Sequence, residues 1–165
     1  PAYTMLVPMV MEVPNDTVCF PDIQSLATSA DKISGFILPD GAATASFNWK
    51  TAQAIPLNLA ATSPAIRVFV QPLVSTASAL AAFVTKSTAV ATTETYNVAL
   101  TAETTSIVSI PATTYIVAYY EQTLTNIPVA GDHLKGILLL DPTNASDNAT
   151  SLMVTAMSLL VSRTI

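Results

Sequence analysis

Apolar and polar residues alternate with a period of two through much of the chain. Ile66, Val68 and Val70 are interleaved with Arg67, Phe69 and Gln71, while Met153, Met157, Leu159 and Val161 share one parity near the end of the sequence. This is the pattern of strands with one buried face. Runs of this kind between turn residues predict strands at Tyr3–Val13, Lys32–Leu38, Ala45–Thr51, Ala65–Leu73, Glu94–Leu100, Ser106–Ile110, Tyr115–Thr123, Leu134–Leu140 and Leu152–Val161. Two segments read differently. Asp22–Lys32 suggests one or two helical turns, and Ser75–Thr88, with Ala77, Ala79, Leu80, Ala81, Ala82 and Phe83, a short helix or a compact loop. Thr88–Glu94 and Thr101–Ser106 read as threonine-rich connectors. Many short β-branched runs, with eleven prolines against four glycines, predict an all-β fold: an antiparallel β-sandwich, jelly-roll-like, with an irregular N-terminal segment. Residues 41–165 form the sandwich in this reading. Residues 1–40 are a strand or arm that packs on the domain or on a neighbour, within a single domain overall.

Composition adds to this picture mainly through charge. Of 165 residues 51% are apolar but only 10% are charged, against a usual share of about 25%. So few charges do little to keep neighbours apart, which points to a surface covered by other subunits. The net charge is −5, and the six basic residues are scattered singly. No basic stripe is available for phosphates, so neither nucleic acid nor an anionic membrane is expected as a partner. Cys19 is the one cysteine and His133 the one histidine. An internal disulfide and a Cys/His zinc site are thereby excluded, and no metal or cofactor is expected. Cys19, between Val18 and Phe20, reads as a small buried hydrophobe. The start, Pro1-Ala2-Tyr3, lacks a signal-peptide pattern, and Met5 to Val13 is too short for a membrane helix.

Candidate chemistry is sparse. Asp132 and His133 are adjacent, but neighbours on a strand point to opposite faces, so the carboxylate cannot orient the imidazole as a catalytic triad requires. Asp141, Asn144, Asp147 and Asn148 share one loop, where such residues build turns, although an oxygen-rich loop can also hold calcium. Asn144-Ala145-Ser146 and Asn148-Ala149-Thr150 are formal glycosylation sequons. Phe47 and Trp49 share a strand face, as a core pair or as a sugar platform with Trp49 at its centre. Tyr115, Tyr119 and Tyr120 lie on one predicted strand, with Tyr120 opposite the other two, and are candidates for a subunit contact. Met5, Val7 and Met9 in the apolar N-terminal segment are candidates for anchoring that segment to a neighbour.

The order of these pieces resembles a family. It runs from the Trp49 strand through Ile66–Val70, Ala79-Leu80-Ala81-Ala82-Phe83 and a threonine-rich stretch to Val129-Ala130-Gly131-Asp132. The strand Leu134–Leu140, the loop Asn144-Ala145-Ser146-Asp147 and a closing strand follow. Over roughly residues 36–165 this resembles small jelly-roll-like virion structural proteins of tailed bacteriophages. Thr150, Thr155 and Met157 stand where that family carries charges. The resemblance implies a capsid decoration, cement or head-fibre protein, without catalytic residues, that acts through subunit contacts. It would form a homotrimer on viral capsid or tail proteins, assembled in the host cytoplasm and residing in the virion. The alternative is a tail-fibre receptor-binding or carbohydrate-binding module.

Overall fold

Among the described residues ten strands carry the fold: β1 (Ala2–Pro14), β2 (Phe20–Ser25), β3 (Lys32–Leu38), β4 (Ala45–Thr51), β5 (Ala65–Pro72), β6 (Leu80–Val90), β7 (Ala102–Ser109), β8 (Ala118–Thr123), β9 (His133–Leu140) and β10 (Leu152–Thr164). The computed structural model describes residues 2–16, 18–25, 32–39, 41, 43–56, 64–91, 94, 98–100 and 102–164. Every pairing is antiparallel, and the strands form two facing sheets. In the first, β10 is central, with β5 and then β8 on one side and β3, β2 and the first half of β1 on the other. The second runs β1-β4-β9-β6-β7.

β1 belongs to both sheets. Ala2 to Pro8 pair with β10, and Met9 to Pro14 pair with β4. The changeover falls at Pro8, which has no N–H to give to a ladder and whose carbonyl accepts from Ala52 N at 2.8 Å. β1 is thus a paired strand of both sheets of this chain. Met5, Val7, Met9 and Met11 face the core, as alternation on a strand requires, until the register shifts beyond Met11.

The interior is filled by the inward parity of each strand, including Val7, Phe36, Leu38, Phe47, Trp49, Ile66, Val68, Phe83, Leu138 and Leu159. Two ring stacks bridge the sheets. Phe36 lies on Phe47 with centroids 4.8 Å apart, and Phe83 on Tyr120 at the same separation. Beside the second stack the bridge is polar: Thr85 Oγ1 donates to Gln122 Oε1 (2.5 Å), and Gln122 Nε2 donates to Thr104 O (2.6 Å). Gln122 is buried, so these partners offset the loss of its hydration.

Several expectations are corrected. Ser75–Thr88 contains no helix: Leu80–Val90 is a strand lying between β7 and β9. Its Ala81, Phe83, Thr85 and Ser87 are buried on the inward parity, so cross-strand packing overrides the helix preference of alanine. Asp22–Lys32 begins inside β2 and ends where β3 starts, while residues 26–31 lie outside the described residues. Glu94 and Val98–Leu100 are not strand, and residues 95–97 are not among those described. Tyr115 precedes β8 in a turn with φ 64°. A bulge between Val154 and Ala156 shifts the parity of β10. Met153 therefore lies on the outer face, away from Met157, and receives Gln71 Nε2 on its sulfur at 3.6 Å.

Candidate functional site

The residues singled out by sequence are dispersed by the fold. Val7 is fully buried, and Met5 and Met9 pack beside it against the core. They pack within this chain's own interior, and the apolar side chains that β1 does expose are Leu6, Val10 and Val13. Trp49 is 1% exposed and its ring lies over Gly136, so it offers no platform to a sugar. Tyr120 is likewise in the core, where burial pushes its hydroxyl well above the usual tyrosine value. Tyr115 is half-buried in its turn and shares no strand face with Tyr119. Tyr119 differs from all of these: it is 57% exposed.

Tyr119 sits on the outer face of the first sheet, directly opposite Phe69 on β5. The two rings are tilted by 51° with centroids 5.8 Å apart. One register step along, Glu121 faces Arg67. Arg67 Nε and Nη2 both donate to Glu121 Oε1, at 3.0 and 2.5 Å. The same guanidinium lies over the Tyr119 ring, with Cζ 4.6 Å from its centroid. A pair held this way is fixed at one end by charge and at the other by the ring quadrupole. The result is an exposed aromatic surface bordered by a planar donor and a carboxylate acceptor. Arg67, Phe69 and Glu121 went unnoticed in the sequence because only the β5–β8 register brings them together.

The platform continues across the sheet. Next to Phe69 on β10 is the exposed Ala156, and next to the bulge on β3 is Gly35. A Cβ on Gly35 would overlap the Val154 carbonyl oxygen and press on Met153 Cγ, so this close approach requires glycine. Beyond it, Asp22 on β2 pairs with Gly35 and takes the same face. Between the β2–β3 hairpin and the departing β1, the sheet opens into a cleft of about 570 Å³ lined by Met11, Pro21, Asp22, Ser34, Gly35, Phe36 and Thr155. That volume suits a small organic ligand.

Elsewhere the polar residues serve the backbone. Asp141 Oδ1 accepts from Thr143 N, Asn144 Oδ1 from Ser146 N, and Asp147 Oδ1 from Ala149 N, each an Asx turn. Asp147 Oδ2 and Asn148 Oδ1 also accept from Ala82 N and Leu80 N, which fastens this loop to β6. Asp132 Oδ2 accepts from Val129 N in the turn ahead of β9. Among the described residues no group of three His, Cys, Asp or Glu side chains is placed to hold a metal ion.

No protein-family profile and no curated sequence matches the chain. Solved structures do. An arabinose-bound MgGH51 α-L-arabinofuranosidase superposes with a TM-score of 0.44 at 10% identity, over 94% of this chain and 27% of the enzyme. The enzymatically active domain of tailspike protein 4 of bacteriophage CBA120 gives 0.40 at 9% identity, over 96% of this chain and 19% of the tailspike. The chain thus spans under a third of either enzyme. A mannan-recognising carbohydrate-binding module, TmCBM27, matches with a TM-score of 0.42 at 9% identity over 99% of both chains. By its own strand pairings, β8-β5-β10-β1 facing β4-β9-β6-β7, the chain is an all-β, antiparallel, jelly-roll-like sandwich.

Proposed function

We propose that this chain is a glycan-binding module whose ligand rests on the outer face of the first sheet, at Tyr119. The observation that carries this reading is the Tyr119 ring itself, 57% exposed beside Phe69 and gripped by an Arg67 already oriented by Glu121. A pyranose ring has an apolar C–H face and a rim of hydroxyls. An exposed aromatic accepts the former, and a fixed guanidinium–carboxylate pair donates to and accepts from the latter. Binding rather than hydrolysis is supported by the platform's charge. Among the described residues the carboxylate beside Tyr119 is Glu121, engaged by Arg67, whereas glycoside hydrolysis ordinarily needs two flanking the scissile bond. The test is affinity electrophoresis through gels containing soluble neutral polysaccharides. The wild type is expected to be retarded by at least one of them, and Tyr119→Ala and Arg67→Ala to migrate freely. A wild type that no polysaccharide retards would overturn the reading.

A second reading is a virion subunit that acts by contact alone. It is favoured by Val74, Ile116 and Val117, which are 50–52% exposed in loops tied together by Ser75 Oγ donating to Ala112 O at 2.5 Å. Such a subunit would be a homotrimer at micromolar concentration. Sedimentation as a monomer would count against it.

A further inference from the structure

Three departures from regular pairing meet at the cleft between the β2–β3 hairpin and β1. Thr155 is the extra residue of the β10 bulge and has no register partner on β5 or β3. Met11 is the last β1 residue before the β1–β4 register shifts. Gly35 marks the point where β3 approaches β10 too closely for a Cβ, which would overlap the Val154 carbonyl oxygen. All three residues line the cleft, and bulges concentrate next to functional sites, where they re-aim side chains. Alternation shows what the cleft enters. Ser34 takes the same face as Phe36, and Pro21 pairs with Phe36. Phe36 belongs to the core, and Met11 packs against it. The cleft therefore opens inward between the sheets, apart from the outer face that carries Tyr119. One wall is fixed by the Phe36 ring, stacked on Phe47 with centroids 4.8 Å apart, while the unbranched Met11 can adapt its shape to a ligand.

We propose that this cleft is a second binding site, independent of the glycan-binding reading, for an uncharged small molecule with a compact apolar body and an amide-like edge. Its volume of about 570 Å³ falls in the range of small-ligand sites. Met11, Pro21 and Phe36 offer apolar surface to the body of the ligand. Ser34 and Thr155 bring hydroxyls, which both donate and accept hydrogen bonds. An ionised carboxylate only accepts and an ammonium only donates, so an amide, which does both, is the better complement. Charge points the same way. Among the described residues no Lys or Arg lines the cleft, and Asp22, its one charged lining residue, is already engaged within this chain. An ion drawn in between the sheets would lose hydration without gaining an uncommitted counter-charge.

Nuclear magnetic resonance titration of the full chain with benzamide, benzoate and benzylammonium tests this, since the probes share a size and differ in charge and in the hydrogen bonds they make. Benzamide at millimolar concentration is expected to shift the Met11 methyl and the Thr155 amide saturably. The two ions are expected to bind about tenfold more weakly. Ser34 is exposed where it lines the cleft, so Ser34→Trp is expected to keep the native spectrum and abolish the saturable shifts. Thr155→Val keeps the shape of the side chain, loses its hydroxyl, and is expected to weaken benzamide about fivefold. It decides the matter should Ser34→Trp disturb the fold. No saturable shift with any probe, or shifts that persist in a folded Ser34→Trp variant, overturn the site. Undiminished benzamide binding by Thr155→Val overturns the hydrogen-bonded edge. An ion that binds as tightly as benzamide overturns the uncharged class.

Discussion

The indole of Trp49 lies across Gly136 on the adjacent strand and fills the space that a side chain at position 136 would need. Gly136 pairs with Ser87 on its other side, and a Cβ there would also overlap the Lys86 carbonyl oxygen. Gly136→Ala is expected to destabilise the protein by about 1–3 kcal/mol through overpacking. Trp49→Ala removes the largest core side chain and is expected to cost about 3–5 kcal/mol. Urea denaturation measures both, and a Gly136→Ala variant as stable as the wild type would contradict the packing described here.

Adjacent tyrosines should behave in opposite ways. Tyr120 is stacked in the core, so Tyr120→Ala is expected to cost about 3–5 kcal/mol. Tyr119 is exposed, and its replacement by alanine should change stability by less than about 1 kcal/mol. Thermal melts of the two variants compare them directly. A large loss in Tyr119→Ala would mean that the ring serves the fold.

Asp16 gives the acid limb of the stability profile a specific component. Burial pushes its carboxyl up, but hydrogen bonds from Cys19 N, Ser46 Oγ and Val18 N outweigh this and hold it below its usual value of 3.8. A depressed carboxyl contributes stability that is present above the unfolded value and is lost as pH falls through the folded one. Asp16→Ala should therefore lower stability at pH 7 by about 1–3 kcal/mol, and the difference from wild type should shrink as pH falls from the unfolded value through the lower folded one. A difference that stays constant through the acid limb of the denaturation profile would exclude this role.

Cys19 should resist modification in the folded protein. Burial, and secondarily the Asp16 charge, push its thiol up to about 12, so little thiolate exists at pH ~8. Iodoacetamide is expected to label it slowly in buffer and rapidly in guanidinium. Fast labelling in buffer would show that the β1–β2 turn opens readily.

Removal of residues 1–14 should abolish folding. The segment supplies pairing to both sheets and contributes Val7 to the core. A soluble truncated domain with native circular dichroism would mean that β4 and β10 can close without it.

The strands at Lys32–Leu38 and Ala45–Thr51 were legible to the residue; in the second, Phe47 and Trp49 alternate with Asn48 and Lys50, and the two rings take the buried face. β6 was not, because its alanines and threonines carry no decisive local preference and its neighbours β7 and β9 impose the strand. The parity of Met153 was misread because a bulge leaves no mark on composition. Of the candidate site, Tyr119 was singled out, but as a subunit contact together with Tyr115 and Tyr120, while the sugar platform was sought at Trp49. The partners of Tyr119 were not legible, because β5 and β8 are separated by two strands in the sequence and pair only in three dimensions.

The sharing of β1 between sheets has a kinetic side. Ala2 pairs with Thr164, and Pro8 with Ser158, so closing the first sheet joins segments from opposite ends of the sequence. The entropy of closing so long a loop is lost before most of the ladder can form. High contact order of this kind slows folding and lengthens the exposure of unpaired edges. Because the same strand also pairs with β4, the late event that completes one sheet completes the other, and the two sheets should fold and unfold as a single cooperative unit.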